Sequence, residues 1–94
     1  MGREAQLQTK CLNYLKQKRI YCVNVYGSGR TGKGTPDILA CVNGQFVAFE
    51  LKVGSNQMQS DQVIHRKRIW ASGGKHYTPR SIEEFKEIIN QLGG

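Results

Sequence analysis

Residues 37–52 constrain the fold more tightly than any other part of the sequence. Two strand-like runs, Asp37 to Val42 and Gln45 to Lys52, are joined by Asn43-Gly44, a dipeptide suited to the two left-handed residues of a type I′ turn. The spacing predicts a tight antiparallel hairpin in which Val42 lies opposite Gln45. Side chains alternate along a strand, so Leu39, Cys41, Phe46 and Ala48 share one face and Ile38, Ala40, Val42, Val47, Phe49 and Leu51 the other. Both faces are partly apolar, and the expectation is a sheet that needs helical cover on each side.

Helical periodicity flanks the hairpin. From Arg3 to Lys18, Leu7, Cys11, Tyr14 and Leu15 recur at helical spacing, with Lys and Gln between them. Ile20 to Tyr26 is rich in Val, Ile and Tyr and reads as a strand, leading into Gly27-Ser28-Gly29-Arg30-Thr31-Gly32-Lys33-Gly34. A second helix is expected from Ser60 to Ser72, stopped by Gly73-Gly74, and a short strand over Lys75 to Thr78, closed by Pro79. Ser81-Ile82-Glu83-Glu84 has the form of a capping box, and Ile82, Phe85, Ile88, Ile89 and Leu92 form one apolar stripe behind it. The order is α-β-β-β-α-β-α, in a single domain spanning residues 1–94.

Charge narrows the partners. Fourteen Lys and Arg against seven Asp and Glu leave a net +7 on a small body, a positive field that favours a polyanion such as nucleic acid. Arg30 and Lys33 in the glycine-rich loop, and Arg66 and Lys67 in the second helix, are the candidate phosphate contacts. The loop superficially resembles a phosphate-binding P-loop, but Lys33 is followed by Gly34 rather than Ser or Thr, and no nucleotide cofactor is expected. Cys11, Cys22 and Cys41 are odd in number, without paired spacing, and are expected to be small buried hydrophobes rather than disulfide or zinc ligands. No apolar run reaches the roughly 20 residues of a membrane span. Because the N-terminus lacks a signal-peptide pattern, a cytoplasmic location is expected, in a bacterial or phage-infected cell.

The hairpin register carries the functional reading. Counting outward from Val42 and Gln45 places Asp37 opposite Glu50, where like charges repel and strands normally avoid them. A divalent cation such as Mg²⁺ or Mn²⁺ compensates, because both prefer carboxylate oxygens and need few of them from the protein. Lys52 projects from the same face as Glu50. Two anions and one cation in this arrangement suit phosphodiester hydrolysis: metal polarises the phosphate and acidifies a water, while lysine orients the nucleophile or stabilises developing charge. Glu4 falls on the inward stripe at the start of the first helix, where a favourable interaction with the helix dipole would explain it equally well.

The set Gly34-Thr35-Pro36-Asp37 and Glu50-Leu51-Lys52 resembles the PD-(D/E)XK nuclease pattern, and most closely the virus-type replication-repair nucleases (VRR-NUC). The resemblance spans nearly the whole chain, including Arg80 to Phe85, and departs at Val53-Gly54-Ser55-Asn56, where many relatives have a Gly-Pro-type turn. It implies an α/β, restriction-endonuclease-like core with a mixed central sheet flanked by helices. It also implies metal ligation by Asp37, Glu50 and the backbone carbonyl of Leu51, catalysis near the phosphate by Lys52, and completion of the pocket by Glu4 and Gln62. On residues alone, Gln62 shares a helix face with His65 and Ile69 and equally suits a buried polar group satisfied by backbone.

The function expected is that of a structure-selective endodeoxyribonuclease resembling Holliday-junction resolvases, in replication, recombination or repair. A homodimer is expected to act on branched DNA, since two symmetric cuts call for two sites. The alternatives are a noncatalytic nucleic-acid-binding module on the same fold and a flap-directed, nick-directed or restriction-type nuclease.

Overall fold

The protein is described from a computed structural model covering residues 2–25 and 33–94. Its elements are α1 (Arg3–Gln17), β1 (Cys22–Asn24), β2 (Ile38–Val42), β3 (Gln45–Phe49), α2 (Ser60–Ala71), β4 (Lys75–Tyr77) and α3 (Ile82–Gln91). The strands form one mixed sheet in the order β1-β2-β3-β4, antiparallel except for the parallel pair β3 and β4. That parallel pairing requires a crossover, which α2 provides.

The hairpin has the register read from the sequence. Val42 pairs with Gln45 and Ile38 with Phe49, across a turn in which Asn43 and Gly44 take φ of 52° and 78°. The regular ladder stops at Ile38 and Phe49, one pair short of Asp37 and Glu50. Pro36 has no N–H to extend β2. The N–H of Asp37 bonds Phe49 O at 2.9 Å, and the N–H of Glu50 bonds Tyr77 O at 2.9 Å, so beyond Phe49 the chain leaves β2 and follows β4.

One face of the sheet is closed. Leu7, Cys11 and Leu15 of α1 and Phe85 and Ile89 of α3 pack on Ile38, Ala40, Val42, Val47 and Phe49, with the Phe49 and Phe85 rings 4.7 Å apart between centroids. Ser81 caps α3, its Oγ accepting from the N–H of Glu84 at 3.1 Å. The second face carries Val23, Leu39 and Ala48 in register and is covered only where α2 lies against β4. α2 buries none of its residues, and Phe46 remains 50% exposed. The expected cover on both faces is therefore only partial.

Two local expectations are corrected. The strand expected over Ile20 to Tyr26 is shorter: Arg19 has φ 59° and the N–H of Ile20 bonds Leu15 O at 2.9 Å, which makes Ile20 part of the end of α1. Tyr26 lies outside the described residues. Cys11 is buried as expected, but Cys22 is only partly buried and Cys41 is exposed, because Cys41 sits on the open face of the hairpin. Among the described residues, no helix is long and apolar enough to cross a membrane.

Candidate active site

Three carboxylates meet at the end of the hairpin where the ladder breaks. Glu4 arrives from the first turn of α1, Asp37 from the residue before β2 and Glu50 from the residue after β3, with one oxygen of each within 4.8 Å of the others. The α1 stripe explains Glu4: positions 4, 7, 11 and 15 lie on one face, and Leu7, Cys11 and Leu15 anchor that face in the core. The site is held by the same packing that closes the sheet.

The backbone locks Asp37 in place. Its Oδ2 accepts the N–H of Leu51 at 2.9 Å, so the side chain of Asp37 takes up a donor that the ended ladder leaves free. Glu50 is 3% exposed, and its Oε1 is buried without a hydrogen-bond partner among the described residues. Burial pushes its carboxyl up to about 8, reinforced by a hydrogen bond and charge from Asp37 and by the charge of Glu4, and opposed by Lys52. Lys52, itself buried, is thus close enough to act electrostatically on the cluster. A buried acid with an unused oxygen, facing two further carboxylates, fits a divalent cation, which would replace the shared proton and satisfy the oxygens together.

The other expected site residues make contacts of their own. Gln62 Oε1 accepts the N–H of Gln59 at 2.8 Å, so that side chain caps the start of α2. Leu51 is fully buried between Glu50 and Lys52. Lys33 is exposed, its Nζ 3.6 Å from Asp61, and its carbonyl lies 3.2 Å from Nε2 of His65. Arg66 and Lys67 are exposed on α2, and successive helical residues are rotated by about 100°, so they leave the helix in different directions. Arg66 bears on His76, whose titration is lowered to about 4 by burial first and then by Arg66. Arg30 lies outside the described residues.

Gln8 is not among the residues expected from the sequence. One turn beyond Glu4 on the inward stripe, it is buried, and its Nε2 donates to Asn24 Oδ1 at 2.6 Å, tying α1 to the edge strand. Its spacing of four from Glu4 and three from Cys11 was the available signal.

Two solved structures share this architecture. One, described as a VRR_NUC domain, aligns with a TM-score of 0.81 and 16% identity over 96% of this chain and 97% of its own. The fold is of the PD-(D/E)XK type. The second is Hjc of the archaeal hyperthermophile Archaeoglobus fulgidus, described as a Holliday junction resolvase, with a TM-score of 0.61 and 20% identity over 82% of this chain and 67% of its own. No family model and no curated protein matches the sequence significantly. Within this PD-(D/E)XK-type fold, the acidic cluster and Lys52 sit where β2 and β3 diverge.

Proposed function

We propose that this chain is a divalent-metal-dependent endodeoxyribonuclease that cuts branched DNA as a homodimer. The observation that carries the reading is the convergence of Glu4, Asp37 and Glu50, beside Lys52, on a fold shared with a VRR_NUC domain and a Holliday junction resolvase. Asp37, Glu50 and the carbonyl of Leu51 would hold Mg²⁺ or Mn²⁺, with Glu4 on the same side and Gln62 at the margin. Bound there, the cation supplies charge to the phosphate and acidity to a water.

The chain's own residues do the rest. Glu50 would hold the cation as the deprotonated carboxylate. Lys52 directs its ammonium toward the scissile phosphate and stabilises charge that develops on its oxygens. The Leu51 N–H keeps the Asp37 carboxylate in one orientation, so the geometry is set before substrate arrives. Lys33, Arg66 and Lys67, with Arg30, would contact phosphates and position the duplex without reading sequence.

The homodimer has a candidate surface. A net +7 chain repels its own copies, and least where the approaching faces carry no charge. Tyr21, Val23, Leu39, Cys41 and Phe46 line a shallow hollow of ≈ 380 Å³ on the open side of the sheet, with no charged residue in its lining among the described residues.

The test is cleavage of duplex, flap, splayed-arm and four-way-junction DNA in Mg²⁺ or Mn²⁺, beside an EDTA control. Junction cleavage that EDTA abolishes is expected. Binding without cleavage on every substrate in either metal would instead make the chain a noncatalytic module.

A further inference from the structure

Beyond the acidic cluster, the closed face of the molecule carries a row of cations that the hydrolytic reading does not use. Two guanidinium groups converge on Gly54, two residues after Lys52. Arg80 Nη1 donates to Gly54 O at 3.1 Å, and Arg3 Nη1 lies 3.6 Å from where a Cβ on Gly54 would stand. Arg3 also precedes Glu4, so this pair stands at the edge of the candidate active site.

From there a groove runs between α1 and α3. Its first part, ≈ 260 Å³, is lined by Arg3, Lys10 and Arg80. The second part, ≈ 320 Å³, shares Lys10 and Ile82 with the first and adds Lys86. Four cations thus stand against one acid among the lining residues, Glu83. The far end is ordered by Tyr14, whose ring holds Lys86 Nζ at 5.3 Å and Lys18 Nζ at 5.5 Å from its centroid. Cations from both banks are thereby kept along one line.

We propose that this α1–α3 groove is a track for a nucleic-acid backbone, binding the DNA that extends from the active site on the side away from α2. The proposal rests on the nuclease reading above and adds a second contact surface to it. The dimensions suit the occupant. A helix of 15 residues is about 22 Å long, which matches roughly six nucleotides at about 3.4 Å per step. The lining offers charge along its length, so the contact neutralises phosphates without reading sequence.

The experiment uses Lys10→Gln/Lys86→Gln, both exposed, in the full chain without metal, so that binding is read separately from cleavage. Affinity is measured by fluorescence anisotropy over a range of salt on a 30-base-pair duplex. Thermal melts verify that the variant is folded. The slope of log affinity against log salt should fall by about 1.8, at about 0.9 per lost phosphate contact. An unchanged slope, with the wild type binding normally, overturns the groove and leaves the nuclease reading standing. A wild type that neither binds nor cuts DNA overturns both.

Discussion

The Asp37 carboxylate accepts the backbone N–H of Leu51 at 2.9 Å, so the acid of the first hairpin strand is fastened to the residue that separates Glu50 from Lys52. The bond joins the two halves of the site across the break in the ladder. Asp37→Asn keeps an oxygen for that N–H, whereas Asp37→Ala leaves it unsatisfied. The alanine variant should lose about 1–3 kcal/mol of stability, and the asparagine variant much less. Both should lose cleavage, because each removes a metal ligand. Urea denaturation beside a single-turnover assay separates the two effects; near wild-type cleavage by Asp37→Asn would remove Asp37 from the site.

Glu50 and His76 give the stability of the metal-free protein opposite pH trends. Burial raises Glu50 from 4.5 to about 8, so its contribution is fully present below about 4.5 and is lost as pH rises through about 8. Burial lowers His76 from 6.5 to about 4, so its contribution is present above about 6.5 and is lost as pH falls through about 4. The two trends oppose each other between pH 4.5 and 6.5, and only the Glu50 loss remains above that window. Melting temperatures of the metal-free protein should therefore fall from pH 6.5 to 8. Glu50→Gln should flatten that limb without lowering stability. Added Mg²⁺ or Mn²⁺ should raise the wild-type melt more at pH 8 than at pH 6.5, since ligation requires the deprotonated carboxylate. A metal-induced gain that is equal at both pH values would count against Glu50 as a ligand.

Lys52 offers a division of labour that can be measured. Its charge opposes the rise in the titration of Glu50, so Lys52→Ala should move the pH dependence of metal binding to more alkaline values while leaving a saturable site. Cleavage should remain at least about 100-fold down even at saturating metal, the order of effect for removing a charge-stabilising donor at the reaction centre. Full recovery of rate at high metal would reduce Lys52 to a metal-affinity residue.

Much of this site was legible because a hairpin turn and a side-chain period of two fix register together. Asn43-Gly44 sets the pairing of Val42 with Gln45, and that pairing alone brings Asp37 and Glu50 to the same end. The position of Glu4 follows from the α1 stripe in the same way. The local break at Asp37 was not legible, since it depends on Pro36 and on the side chain of Asp37 taking the Leu51 N–H. The role of Gln62 in capping α2 was equally hidden, because capping and pocket-lining demand the same residue type. The extent of cover on the second face depends on where α2 docks, and its scattered apolar residues fix no docking face: Ile64 and Trp70 both remain exposed.

Gly34 ties the glycine-rich connection to α2. It has φ +84°, and a Cβ there would lie 2.6 Å from the backbone carbon of Asp61. Gly34→Ala should cost about 1–3 kcal/mol through strain, before any rearrangement displaces Lys33 from α2. A melting temperature equal to wild type would show that the approach of Gly34 to Asp61 is not maintained in solution.

The final prediction concerns assembly. One chain carries one acidic cluster among its described residues, whereas resolving a four-way junction takes two cuts in symmetry-related strands, a requirement met by a two-fold dimer. With a surplus of seven positive charges, two copies approach most favourably through the apolar hollow around Val23, 42% exposed, and Phe46, 50% exposed. That face lies opposite α1 and α3, so dimerising through it leaves both proposed α1–α3 tracks open to DNA. Light scattering at physiological salt should give about twice the chain mass of 10.6 kDa, and junction cleavage should yield paired, symmetric nicks. Val23→Glu/Phe46→Glu places two carboxylates in that face without touching the core and should yield a folded monomer that produces single nicks. A wild-type monomer that prefers single-ended flaps would overturn the resolvase reading and leave the nuclease reading intact. A glutamate variant that stays dimeric would move the interface elsewhere on the molecule.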